Sequence, residues 1–286
     1  MKKSLILVTY LFLSISAQAD SVILMIGDGM GDNHLKCAAQ HRTVFTQTLP
    51  IKGWIQTHSA NHKITDSAAA ATAYSCGYKT NNKMLGKRPN GKNCPTIAEQ
   101  AIQKGLSVGI YSTDHSTGAT PSAFFAHTID RYDKKTIETY KDLASKTMDI
   151  VVPMNKISDQ TEQKLNKLNL NKKGFFAMFE GAHIDTKSHQ NNLNLMQEEL
   201  YDFDLAVKNA VDFAKKHPET TVIVLADHET GGLTNDCQYT SPNHTGIDVP
   251  VYAYGKHKEL FNDAQDNIEI YQKIHNILFN KIPSEK

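Results

Sequence analysis

Asp185 and His189 stand four residues apart in "GAHIDTKSH". On a helix that spacing sets both on one face, close enough to share a cation. Asp227 and His228 are adjacent in "DHETGG", where a glycine-rich turn lets both side chains swing inward. His244, in "NHTG", offers another imidazole. Asp28 in "GDGMGD", Thr120 in "TDHSTGATP" and Glu180 just ahead of "GAHIDTKSH" add oxygen donors. Mixed Asp and His ligation suits zinc, and Asp, Glu and Thr oxygens suit the harder magnesium ion, so the set has room for three ions. Singly, each signal has a plain alternative. A D-x-x-x-H pair is common by chance, Asp28 equally suits a turn, and "GDGMGD" does not meet the G-x-G-x-x-G dinucleotide fingerprint. Asp66 and Ser67, in "TDSAAAATAYSCGYKT", are residue types that favour a helix entrance. His34, His41, His58, His62, His217, His257 and His275 read as surface or core fillers.

The elements that must position these residues are short apolar runs: 21–27, 106–113, 174–180, 220–226 and 249–255. Near-continuous apolar runs suit strands buried on both faces. Helical patterns at 95–104, 192–216 and 266–281 alternate with them, and 155–171 and 255–266 read as polar connections. The fold class expected is α/β: one doubly wound, mostly parallel sheet with helices on both faces. Asp28, Thr120, Glu180 and the pair Asp227 and His228 each lie at or just past the carboxyl end of one run. Open α/β sheets bind ligands in the crevice there, so these side chains should converge.

Residues 1–19 read as a secretory leader: two lysines, an apolar run and an A-x-A ending at Ala19. Residues 20–286 are then expected to form a single domain in a periplasmic or secreted protein with no stable membrane anchor. A net charge of +1 without a basic stripe argues against a nucleic-acid partner. The four cysteines, Cys37, Cys76, Cys94 and Cys237, allow three disulfide pairings. Cys76 with Cys94 is preferred because both flank one short segment.

In chain order, "ILMIGDGMGD", "TDSAAAATAYSCGYKT", "GATPSAFFAHTIDR", "FFAMFEGAHIDTKSH", "VIVLADHETGG" and "NHTG" resemble the alkaline phosphatase family. The resemblance spans residues 22 to about 255 and implies hydrolysis of small phosphate monoesters through a phosphoserine. It implies Ser67 as the nucleophile and Arg131 as the phosphate clamp. Asp185, His189 and His244 would hold one zinc, Asp28, Asp227 and His228 the second, and Asp28, Thr120 and Glu180 one magnesium. Thr65 or Asp66 should cap a helix with Ser67 in its first turn, Gly77 should end it, and its alanines should let it approach the sheet.

The chain departs from the family pattern in three ways. Gly118 stands where family members carry Asp or His, and Thr186 where Lys or His is frequent. Only 48 residues separate Arg131 from Glu180, and 15 separate His228 from His244, so there is little room for inserted caps. A monomer or weak homodimer is therefore expected. At Gly118 the expectation is a loosely held magnesium that Gly118→Asp would tighten, unless His115 or His183 fills the gap. The rival readings are a phosphodiesterase or sulfatase on the same core, and a non-catalytic metal- or phosphate-binding protein.

Overall fold

The computed structural model describes residues 19–279. The expected leader, apart from Ala19, lies outside them. The strands are β1 (Ser21–Gly27), β2 (Ile51–Ile55), β3 (Ser107–Ser112), β4 (Asp149–Val151), β5 (Phe175–Gly181), β6 (Thr220–Leu225), β7 (Glu229–Thr230), β8 (His244–Thr245) and β9 (Val249–Gly255). The α-helices are α1 (Asp32–Ala39), α2 (Ser67–Cys76), α3 (Ile97–Gln103), α4 (Ala119–Ser122), α5 (Lys134–Ala144), α6 (Thr161–Leu168), α7 (His183–His189), α8 (Leu193–Lys216) and α9 (Asn267–Phe279).

Seven strands form one sheet in the order β2-β9-β6-β1-β5-β3-β4, and β7 pairs with β8 apart from it. β6, β1, β5, β3 and β4 are mutually parallel, while β9 runs antiparallel to both β6 and β2. Every residue of β1, β5 and β6 is buried, as strands sandwiched between helical layers must be. α8 packs across β1, β5, β6 and β9 together with α1, α6 and α7, while α3, α4 and α9 pack on β1, β3 and β5, and α2 packs against α9, α4 and α3. The five expected strands and three expected helices are all present, the last helix as far as the described residues run.

Two readings need correction. The stretch 155–171 contains α6, because Leu165 and Leu168, three apart, bury one face against α8 while Glu162, Gln163, Asn166 and Lys167 are exposed. The stretch 255–266 contains a 3₁₀ turn, Lys258–Phe261, that buries Phe261. β2 and β4 escaped notice because each is a short edge strand, β4 having only three residues.

Both disulfides crosslink the site's supports. Cys76 pairs with Cys94, tying the end of α2 to the segment before α3. Cys37 pairs with Cys237 across 200 residues, tying α1 to the loop that leads to His244. A crosslink of that span strongly restricts the unfolded chain.

Next to α3 lies a pH-sensitive brace. Glu99 closes a capping box with Thr96, and its second oxygen meets His127 Nε2 at 3.0 Å. His127 Nδ1 donates to the Gly86 carbonyl at 2.6 Å, so both ring nitrogens face acceptors. Against burial, which pulls it down, the Glu99 bond and that carbonyl raise the His127 pKa above 6.5. Against burial, which pushes it up, the His127 bond lowers the Glu99 pKa below 4.5. A raised folded-state histidine stabilises fully below its unfolded value and loses that contribution as pH climbs through the folded one; the depressed carboxylate loses its contribution as pH falls. Melting curves should therefore show His127→Gln costing most between about pH 4.5 and 6.5 and progressively less towards pH 9. A pH-independent difference would show that the imidazole is not charged in the fold.

Candidate active site

The entrance of α2 gathers the first half of the site. Asp66 is the N-cap, its Oδ1 accepting from Ala69 N at 3.0 Å, and Ser67 is the first helical residue. The same carboxylate accepts from Lys83 N, at 3.1 Å on each oxygen, and from Arg131 Nη1 at 3.1 Å. One side chain thus sets the helix start and aims the guanidinium beside it. Free N–H groups and the positive helix end favour an anion at this point. Ser67 is only 4% exposed, and its Oγ lies 3.4 Å from His228 Nε2.

All ten residues of α2 are buried, and Gly77 ends the helix at φ 73°. Its alanines serve a different contact from the one expected. α2 packs chiefly on α9 and α4 rather than on the sheet, with the Tyr271 ring pressed against Gly77. The tie to the sheet comes from Tyr74, whose hydroxyl donates to the Ala226 carbonyl at 2.6 Å, one residue before Asp227.

Three imidazoles form the second half. His189 Nδ1 donates to the Pro242 carbonyl at 2.5 Å and His244 Nδ1 to the Thr65 carbonyl at 3.0 Å. His228 Nδ1 faces Thr230 Oγ1 at 3.3 Å, and that hydroxyl donates in turn to Asp185. A carbonyl can only accept, so in His189 and His244 the Nδ1 carries hydrogen and Nε2 is the free lone pair. Those two Nε2 atoms lie 3.1 Å apart. Two lone pairs at that distance repel unless a positive charge lies between them. Asp185 completes the group, 3.3 Å from His189 Nε2 and 3.6 Å from His244 Nε2. The same demand for positive charge shows in His189, whose pKa the Asp185 bond pushes up to about 9.

Carboxylates line the floor. Asp227 Oδ1 accepts from Gly29 N at 3.0 Å and His228 N at 2.9 Å, and its Oδ2 sits 3.2 Å from His228 Nε2. Asp28 Oδ1 is 3.6 Å from the same nitrogen. Gly29, at φ 73°, brings the chain so near the backbone of Asp185 that a Cβ would approach its Cα to 2.9 Å. Burial, with the Asp227 charge next, holds the Asp28 carboxyl well above the usual range. Burial, with Asp114 next, pushes Glu180 up to about 8, and burial pushes Asp227 to about 7. Asp28 Oδ1, Asp227 Oδ2, Glu180 Oε1 and Thr120 Oγ1 are buried without a hydrogen-bond partner. Buried oxygens are rarely left so, and a cluster of them fits cations.

Asp28, Asp227 and His228 offer ligand atoms within 4.8 Å of one another, and so do Asp185, His228 and His244. His228 thus stands between two triads, a sharing that its position in sequence did not suggest. Asp114, one further acidic residue in this region, was missed by sequence reasoning. Its signal is its place, an acid just past the end of β3 and ahead of Thr120. His183 lies 3.8 Å from Glu199, while His115, 67% exposed, stays beside Asp114, its N donating to Asp114 Oδ1 at 2.7 Å and its Nδ1 3.7 Å from the same oxygen.

A family model for alkaline phosphatase matches residues 19–157 and 153–239. The chain belongs to the alkaline phosphatase family. It is 30% identical to alkaline phosphatase 4 of Bacillus subtilis over 76% of this chain and 63% of that protein. It is 26% identical to Escherichia coli alkaline phosphatase over 88% and 84%, respectively. Alkaline phosphatase from the Antarctic bacterium TAB5 superposes with a TM-score of 0.81 at 27% identity, covering 92% of this chain and 98% of that one. A TAB5 variant in which an aspartate replaces a histidine is described with magnesium bound in its M3 site. The chain spans less than two thirds of the length of the Bacillus family members it matches, which agrees with the short spacings between its motifs.

Proposed function

We propose that the chain hydrolyses phosphate monoesters, passing the phosphoryl group first to Ser67 and then to water. The carrying observation is the convergence of the Ser67 hydroxyl, an Arg131 aimed by Asp66, and two neighbouring donor groups, Asp185 with His189 and His244, and Asp28 with Asp227 and His228. Asp185, His189 and His244 would hold one zinc, Asp28, Asp227 and His228 the other, and Asp28, Thr120 and Glu180 a magnesium. When bound, these ions supply positive charge that stabilises an ionised hydroxyl and the negative charge developing on the leaving oxygen.

The chain's own groups do the positioning. Arg131 meets two non-bridging oxygens with its planar fork, the helix entrance faces the same group, and the buried walls exclude water. The Ser67 oxygen then attacks phosphorus in line as the ester oxygen leaves on the opposite face, and water later attacks from that vacated face, breaking the Ser67 O–P bond and releasing phosphate. Two disulfides support an oxidising compartment, and so a periplasmic or secreted location. A monomer or weak homodimer suits the short motif spacings.

Purified protein loaded with zinc and magnesium should hydrolyse a chromogenic monoester far faster than a diester or a sulfate ester. A monoester dianion brings three non-bridging oxygens and two negative charges to Arg131 and the cation-binding groups, whereas a diester brings two oxygens and one charge and a sulfate ester only one charge. A diester or sulfate turned over faster than the monoester would refute this reading.

A further inference from the structure

Gly118, the residue just ahead of α4, has φ −51° and ψ 142°, a conformation open to any residue. Its backbone therefore gives no reason for glycine. The reason lies beside it: a Cβ at this position would fall against Asp114 Oδ2, 2.5 Å from its Cγ and 2.8 Å from its Cβ. The Asp114 carboxylate thus occupies the space that a side chain at 118 would enter. Asp114 N also donates to Ser112 Oγ at 2.8 Å, and that hydroxyl donates to Glu180 Oε2. Glu180 Oε1 and Thr120 Oγ1, both buried, remain without partners at the same place.

We propose that Asp114 supplies the carboxylate that completes the third cation site, and that Gly118 is its necessary counterpart. The inference rests on the phosphatase reading and names one more positioning residue of that site. It also replaces the expectation that Gly118→Asp alone would tighten magnesium, since a Cβ there collides with the stem of Asp114 and drives its carboxylate away.

The test is calorimetric titration of the zinc-loaded protein with Mg²⁺, with a melting curve for each variant. Asp114→Asn, which keeps shape but removes charge, should weaken Mg²⁺ binding by about 10- to 100-fold. Gly118→Ala should weaken it comparably by displacing Asp114. The double variant Asp114→Ser, Gly118→Asp should bind within about a few-fold of the parent, a non-additive rescue that a merely structural role would not produce. Unchanged Mg²⁺ affinity in Asp114→Asn would overturn the proposal, as would no Mg²⁺ binding in a parent that still cleaves monoesters. A parent that shows this affinity pattern yet cleaves nothing would uphold Asp114 and sink the phosphatase reading instead.

Discussion

Ser67→Ala is expected to lower turnover of a phosphate monoester by about a thousandfold or more, because no other residue in the first turn of α2 carries a hydroxyl to attack phosphorus. The change removes one oxygen and leaves the N-cap untouched: Asp66 still accepts from Ala69 N and still holds Arg131. Zinc content, measured by plasma mass spectrometry, should therefore stay near that of the parent, since each proposed zinc keeps three other ligands. Acid quenching of the parent with labelled substrate should trap phosphate on Ser67. Parental turnover in the alanine variant, or label on another residue, would displace Ser67 from its assigned role.

His244→Ala should release about one zinc per chain and reduce turnover by about three orders of magnitude, equivalent to about 4 kcal/mol of transition-state stabilisation. The imidazole is held for one task. Its Nδ1 is fixed on the Thr65 carbonyl, two residues before Ser67, and its Nε2 faces Asp185 and His189. Removing it leaves two ligands where structural and catalytic zinc sites need at least three. Asp185→Ala should have the same effect, with a second signature: His189 loses the partner that raises its pKa, which should fall from about 9 towards 6.5 in the metal-free variant. Nuclear magnetic resonance titration of the imidazole would read this directly. A full zinc complement in either variant would remove that residue from the ligand set.

Much of this site is legible in the sequence. The strands announce themselves because a strand buried on both faces has to be apolar throughout, as "VILMI" is. The residues that break each run must then be carrying chemistry or turning the chain. Asp28, Glu180, Asp227 and His228 stand at those breaks, and the parallel register that sets Ile26 and Ser112 beside Glu180 brings them together. The interval from Asp185 to His189 survives as one face of α7.

Other features were not legible, for a physical reason common to them. β2 and β4 are edge strands, half solvated and short, so they lack the unbroken apolar signature. α6 shows its buried face only once α8 is beside it. The bare α2 announced a close approach, but whether to sheet or helix depended on where α9, almost two hundred residues later, came to rest.

Sequence alone thus determined the fold class, the order of the motifs and the donor types, because burial and ligand chemistry constrain residue identity locally. The tertiary structure decided which donors share a centre. Only in three dimensions does His228 fall between two triads, do His189 and His244 turn their free lone pairs towards each other, and does Asp114 fill the space above Gly118. Ångström-scale distances between groups far apart along the chain carry no trace in the identity of any one residue; packing sets them, and packing is a property of the whole molecule.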